Sequence, residues 1–363
     1  MIPLVKTSIP AKELLMPALE NIIYSGYIAQ GEKVEEFERT FENFIGGGNS
    51  LSLNSGTAAL HIALILAGVK NGDEVISTAL TAEPTNVAVK MVGAKIRYAD
   101  IDNNTGNISP ESIEKCINVK SKAIIVVDYA GTPVDVKKIQ AISLKYNIPV
   151  IEDAAHALGS KYNGIKAGNH FPFTVFSFQA IKHLTTIDGG MLQIKDNELY
   201  EKGKVIRWFG LDKNKSRLEN DITYQGYKYH MNNVNAVIGL VQLQNIDKII
   251  SKYVKNGKYL DENLENVNGV ELIKYYPNSE PSYWLYTLKV DNRDKFISYM
   301  GKNGIMASML HKRNDSHTFL NDFHENLPNL NKFYDKMVHI PSGWWVSQED
   351  CDKMISLIKN GWE

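Results

Sequence analysis

Three short segments of this chain combine residue types that can act on a small molecule. The first, Asn54-Ser55-Gly56-Thr57, stands between a short apolar run and an Ala/Leu-rich stretch. It reads as a strand turning into a helix, where exposed N–H groups favour a phosphate and a glycine lets the backbone come close. Taken alone it is also an ordinary helix N-cap. The second is Asp153 in Val150-Ile-Glu-Asp-Ala-Ala-His156. A carboxylate closing an apolar strand could hold a metal, a ribose or a protonated ring nitrogen. His156 gives a metal pair with no further ligands clustered nearby, and a capping Asp beside a partly buried His accounts for the segment as well. The third is Phe176-Ser177-Phe-Gln-Ala-Ile-Lys182-His183, followed by Gly189-Gly190. A desolvated lysine has a lowered pKa, and its neutral amine attacks carbonyls. Ser177 could donate a hydroxyl to a phosphate. A surface lysine in a loop is the commonest alternative.

The order of the three matters more than any one of them. A phosphate cradle, an acid for a ring nitrogen and an amine for an aldehyde are what pyridoxal phosphate requires. Elements that could position them are legible. Apolar runs at 74–78, 95–99, 123–127, 149–151, 174–178 and 190–194 read as strands, with helices between them near 84–92 and 136–146. Strands apolar throughout and separated by helices imply a largely parallel α/β sheet covered on both faces, and ligands gather at the carboxyl ends of such strands. Val34, Phe37, Phe41 and Phe44 lie on one face of an earlier helix that Gly46-Gly47-Gly48 ends. Beyond residue 245 the pattern changes: a long polar helix at 246–265, a strand at 283–290, a helix at 294–303 and another from Val346. The expected organisation is a large domain over 1–245, including the N-terminal segment, and a smaller α+β domain over 246–363.

Composition excludes other classes. The 363 residues are 44% hydrophobic and 22% charged, ordinary for a globular chain. Lys+Arg number 40 against 41 Asp+Glu, a net charge of -1 with no global nucleic-acid footprint. Cys116 and Cys351 are read as unrelated thiols of a reducing compartment, not a disulfide framework. The N-terminus does not read as a secretory signal and no apolar run is long enough to span a bilayer, so a cytoplasmic protein with no membrane partner is expected. No Gly-x-Gly-x-x-Gly turn follows the first strand, which argues against a dinucleotide-binding enzyme.

With these residues in view, the chain resembles the DegT/DnrJ/EryC1/StrS sugar aminotransferases, fold-type I enzymes that depend on pyridoxal phosphate. The resemblance runs through Ser25–Gly31, Asn54–His61, Gly72–Val75, Gly93-Ala94, Asp100-Ile-Asp102, Ile151–His156, Phe176–Lys182, Asp188-Gly-Gly190 and Gly226–Met231. It implies that Lys182 bonds the cofactor and that Asp153 pairs with the ring nitrogen. Gly56 and Thr57 match the phosphate cradle, with Ser177 as the hydroxyl beside it. His156 stands where Gln is usual, near the ring and its hydroxyl. Lys228, where Asn is common, would reach a neighbouring subunit's site, which implies a homodimer with shared active sites. There are departures: Ala82 replaces an aromatic residue, and His230 replaces an Arg. Lys182-His183 is notable because a related dehydratase branch carries His in place of the lysine. Counting from Phe176-Ser177 puts Lys182 at the cofactor position and leaves His183 as a neighbour of the substrate.

The implied reaction is transfer of an amino group, with L-glutamate as donor, through the pyridoxamine phosphate form of the cofactor. The acceptor is a nucleotide-linked 4-keto-6-deoxy-hexose, giving a 4-amino-4,6-dideoxy sugar of the viosamine or perosamine type. A 3-aminotransferase, a sugar dehydratase and a non-catalytic regulator are the alternatives, and Lys182 with Asp153 argues against the last two. Ser282-Tyr-Trp284, His311-Lys-Arg313, Trp344-Trp345 and Tyr27 are candidates for a substrate channel. Of these His311 and Tyr27 are taken as substrate-side residues, together with His183 and His230. The tryptophans are assigned no role, since Trp and Tyr pairs more often pack than recognise.

Overall fold

A computed structural model describes residues 1–362. Helices α1 (Lys12–Tyr24) and α2 (Glu32–Ile45) precede strand β1 (Asn49–Leu53). An alternation follows: α3 (Gly56–Leu66), β2 (Glu74–Ser77), α4 (Glu83–Met91), β3 (Lys95–Tyr98), α5 (Pro110–Cys116), β4 (Ser121–Val127), α6 (Val136–Tyr146) and β5 (Val150–Asp153). The hairpin of β6 (Lys161–Tyr162) and β7 (Ile165–Lys166) leads into β8 (Phe173–Ser177) and β9 (Gly190–Ile194). Helices α7 (Asn197–Arg207), α8 (Asn233–Leu243) and α9 (Ile246–Leu264) follow. The C-terminal part holds β10 (Val270–Leu272), β11 (Ser279–Glu280), β12 (Tyr286–Val290), α10 (Arg293–Lys302), α11 (Pro328–Lys336), β13 (Met337–Ile340) and α12 (Gln348–Lys359).

Seven strands form the main sheet in the order β1-β9-β8-β5-β4-β2-β3. All neighbouring pairs from β8 to β3 are parallel, while β9 runs antiparallel to both β8 and β1. The strand interiors are buried, as the unbroken apolar runs require. The antiparallel β9 has a direct consequence. Ser177 pairs with Gly190, so the loop between β8 and β9 leaves and re-enters the sheet at one place. That loop carries Lys182.

Helix α2 buries Val34, Phe37, Phe41 and Ile45, and Phe41 meets Phe176 and Phe178 edge-on at 5.2 and 5.5 Å. Phe44 departs from the expected stripe. Ile45 takes the buried place, and the half-buried Phe44 ring lies 3.8 Å beneath the Lys166 ammonium. Gly46, left-handed at φ 98°, stops the helix.

A second sheet, β10-β12-β13, is antiparallel throughout. Helix α9 places Tyr253, Leu260 and Leu264 in the core of this part, and Ile246 and Ile250 in a cluster with α2. Chain ends and short strands also cross between the parts. Ile2 bridges Ile305, Trp345 Nε1–H donates to the Pro3 carbonyl at 3.0 Å, and β11 pairs with β6. Cys116 and Cys351 are free thiols. Among the described residues no helix is long and apolar enough to cross a membrane.

Candidate active site

The three segments meet at the carboxyl ends of β4, β5 and β8, around a cavity of about 400 Å³. Gly56, Thr57, Asp153, His156, Ser177, Lys182 and His311 all line it.

One end is the N-terminus of α3. Ser55 Oγ accepts from the Ala58 N–H at 3.0 Å, which caps the third helical residue and leaves the N–H groups of Gly56 and Thr57 at the open end. Ser177 stands against this turn, and a Cβ on Gly56 would come 3.1 Å from its Cβ. From the sheet side Gly190 supports the turn. A Cβ there would lie 2.5 Å from the carbonyl carbon and oxygen of Ser55 and 2.6 Å from the Gly56 nitrogen, all of them backbone atoms. The cradle rests on the sheet because residue 190 lacks a side chain.

Asp153 forms the floor and is 4% exposed. Its Oδ2 accepts from the Thr85 hydroxyl at 2.8 Å and its Oδ1 from the Ala155 N–H at 3.1 Å. Burial raises the pKa of its carboxyl, while these two donors and the Lys182 charge work against the rise. Lys182 is partly buried. Loss of hydration brings its amine down to about 7, opposed by the Asp153 charge. An amine in that range is available as a nucleophile near neutral pH.

A stack of rings lines the side wall. Trp284 and His156 lie face to face at 4.0 Å and 20°, and His311 continues the stack 5.9 Å beyond His156 with the rings 6° apart. Burial, followed by the Lys182 and neighbouring histidine charges, holds His156 well below the usual imidazole range, so it is neutral. Burial and the Lys182 charge bring His311 to about 4, with Glu83 opposing; its Nδ1 lies 3.9 Å from Glu83 Oε2.

Four expected residues lie elsewhere. His183, adjacent to Lys182, turns away from the cavity. Its Nε2 lies 3.3 Å from the Ser282 carbonyl, its ring meets Tyr253 edge-on at 4.6 Å, and burial presses it to about 3. Tyr27 is 80% exposed and lines a separate groove of about 950 Å³ between the 25–33 segment and α8. His230 packs edge-on against Trp208 at 4.2 Å. Lys228 is exposed and bridges Trp208, and its carbonyl accepts from Asn54 Nδ2 at 3.2 Å. The backbone of 228–230 therefore lies beside the cradle turn of its own chain, while neither the Lys228 nor the His230 side chain lines the cavity. Ala82 does line it, and the rings stacked at the wall are His156 and His311, with Trp284 stacked on His156. Sequence reading missed Thr85, gave Trp284 no role and noted Gly190 without its place under the cradle turn.

The residues fit pyridoxal phosphate on three independent features. An open helix N-terminus with a hydroxyl suits the phosphate, a buried carboxylate suits a protonated ring nitrogen, and an amine of low proton affinity suits the aldehyde. The buried Nδ1 of His156 has no hydrogen-bond partner among the described residues, leaving a polar atom for the cofactor to satisfy.

Residues 11–359 match the DegT/DnrJ/EryC1/StrS aminotransferase family. Among solved structures, AtS13 from Actinomadura melliaura superposes with a TM-score of 0.96 at 37% identity, covering 100% of this chain and 99% of its own. The sugar aminotransferase CalS13 from Micromonospora echinospora gives 0.96 at 33%, with both chains covered completely (100%). Spr1654 from Streptococcus pneumoniae, in its PLP form, gives 0.90 at 27%, with 99% of this chain and 98% of that one covered. The mixed sheet with helices on both faces is that of the fold-type I sugar aminotransferases. The chain belongs to the DegT/DnrJ/EryC1/StrS aminotransferase family, whose members are pyridoxal-phosphate-dependent transaminases.

Proposed function

We propose that this enzyme aminates carbon 4 of a nucleotide-linked 4-keto-6-deoxy-hexose, giving a viosamine- or perosamine-type sugar with L-glutamate as donor. The observation that carries the transaminase chemistry is the opposed pair in one cavity. The Lys182 amine is at about 7, and the buried Asp153 carboxyl is held by Thr85 and Ala155. The sugar is supported by the likeness to CalS13. The choice of carbon 4 rests on the resemblance of the segments around Lys182 and Tyr227–His230 to 4-aminotransferases.

When bound, pyridoxal phosphate supplies an aldehyde and a ring that draws electrons from the substrate carbon. The chain's own residues do the rest. Gly56, Thr57 and Ser177 bind the phosphate. Asp153 holds a proton on the ring nitrogen. Lys182 Nζ, with its pKa near neutrality, takes the proton off the donor carbon in one half-reaction and delivers one to the sugar carbon in the other. His156 would stand beside the ring, and His311, which lines the cavity, is read as the substrate-side residue.

The working enzyme in this reading is a homodimer, with Lys228 of each subunit reaching its neighbour's phosphate. The exposure of Lys228 outside its own cavity supports that geometry. Residues 1–245 act as the cofactor-binding domain and 246–363 as the smaller one. The test supplies glutamate with a panel of 3-keto and 4-keto nucleotide sugars and locates the new C–N bond by NMR. Amination at carbon 4 is expected; amination only at carbon 3 overturns the assignment. Mixed dimers of Lys182→Ala and Lys228→Ala subunits test site sharing, since one of the two sites should then regain tight cofactor binding.

A further inference from the structure

Trp284 is 1% exposed and touches the lysine segment at two points. Its Nε1–H donates to the carbonyl of Ile181, the residue before the lysine, at 3.0 Å. The Lys182 ammonium lies 4.0 Å from the centroid of its ring. The same indole carries the His156 stack.

The indole is itself fixed from several sides. The Ser282 N–H donates to the Gly131 carbonyl at 2.9 Å and the Leu285 N–H to the Ala130 carbonyl at 3.2 Å. The Tyr283 hydroxyl donates to Asp261 Oδ2 at 2.7 Å, and Ser342 Oγ–H donates to the Tyr283 carbonyl at 3.1 Å. Gly131 has φ 98°, and a Cβ there would stand 2.9 Å from the Trp284 nitrogen. A ring held this firmly places Lys182 more than it follows it.

The charged and titratable groups that face Lys182 are few. Asp153 comes from β5, His156 from the segment after it, His183 from the lysine's own loop and His311 from the C-terminal part. Burial holds the three histidines neutral, and of the carboxylates that line the cavity, Asp153, Glu83 and Asp188, Asp153 is the one whose charge acts on Lys182, beside one aromatic face for the cation. An indole face attracts a desolvated ammonium through its quadrupole.

We propose that Trp284 is a positioning residue that receives the Lys182 ammonium and holds it over the ring while the lysine is free of the cofactor. This rests on the reading of Lys182 as the cofactor-bonding amine.

The test keeps the shape of the side chain and changes only its electrostatics. Full-length protein is made with tryptophan, 5-fluorotryptophan or 5,7-difluorotryptophan at position 284. The cofactor is stripped, and acetylation of Lys182 by isotope-coded acetic anhydride is followed across pH by peptide mapping. The expected result is a midpoint that falls with each fluorine, about 2- to 10-fold in the protonation constant over the series. Exposed lysines serve as unshifted references. A midpoint unchanged across the series overturns the proposal. Borohydride trapping of the cofactor on the unmodified protein reads the role of Lys182 separately, so a failure there is distinguishable from a failure of Trp284.

Discussion

Replacing Lys182 with methionine should stabilise the cofactor-free protein at neutral pH. Burial lowers the amine from 10.5 to about 7 in the folded chain, whereas the unfolded chain keeps the ordinary value. The folded state therefore binds fewer protons between those two values, and wild-type stability rises with pH across that window. At pH 7 and below the full mismatch acts against folding, roughly 4–5 kcal/mol at about 1.36 kcal/mol per pH unit. The variant also loses the Lys182 attraction on Asp153, and the lysine stem keeps some exposure, so the net gain is about 2–4 kcal/mol. For a chain of 363 residues, an unfolding entropy of about 2.1 cal/mol/K per residue converts this to a Tm gain of roughly 3–5 °C. The assay is calorimetry of both proteins without cofactor at pH 7 and near pH 10. The variant should melt higher at pH 7, and the gap should close toward pH 10. A gap independent of pH, or a wild type that melts higher at pH 7, would refute the burial argument.

Gly190→Ala should leave the sheet intact but displace the Ser55–Gly56 backbone, weakening cofactor binding by about 10-fold or more at an overpacking cost of roughly 1–3 kcal/mol. Gly203→Ala is the control, because its Cβ would meet only side-chain atoms, Leu51 at 3.1 Å and Ile194 and Leu66 at 3.4 Å, and no backbone; an absorbance titration with equal affinities for both would contradict the cradle geometry. Asp153→Asn should lower turnover by roughly 10²–10³-fold without loss of fold, and an unchanged rate would remove the ring-nitrogen role. Thr85→Val takes away a hydrogen bond that holds the Asp153 carboxyl down, so that pKa rises. The acid limb of the pH–rate profile should move to higher pH, and a limb that stays in place would contradict this.

How far the sequence could be read follows from what each residue does locally. Asp153 and Lys182 were legible because one ends an apolar strand and the other follows one in the next loop, where packing gives no reason for a charge. The cradle was legible as a strand-to-helix turn with Gly56 at its start, a pattern an ordinary N-cap shares, and Ser55 is indeed the N-cap of α3. The direction of β9 was not, because a run such as Met191–Ile194 is buried equally well in either orientation; the Ser177–Gly190 pairing decides it. His183 was misplaced because adjacency to Lys182 carries no information about which way a loop side chain turns. Here the Ser282 carbonyl and the Tyr253 ring draw it inward. Strands of two residues, such as β6 and β11, are too short to show a period. Trp284 sits in an alternating aromatic run indistinguishable from core, and nothing in its neighbours signals the contact with Lys182 more than 100 positions earlier. Thr85 and Gly190 act through tertiary contacts alone, with Asp153 and with the Ser55–Gly56 peptide.

The central claim is that Lys182 carries the cofactor in a cavity floored by Asp153. The most direct measurement is an absorption spectrum of the purified protein from about 300 to 500 nm with pyridoxal phosphate, before and after borohydride, followed by peptide mapping. The account predicts a visible band that reduction removes, with the reduced cofactor covalently attached to Lys182. A band that never forms, or a label found on another lysine, would contradict it.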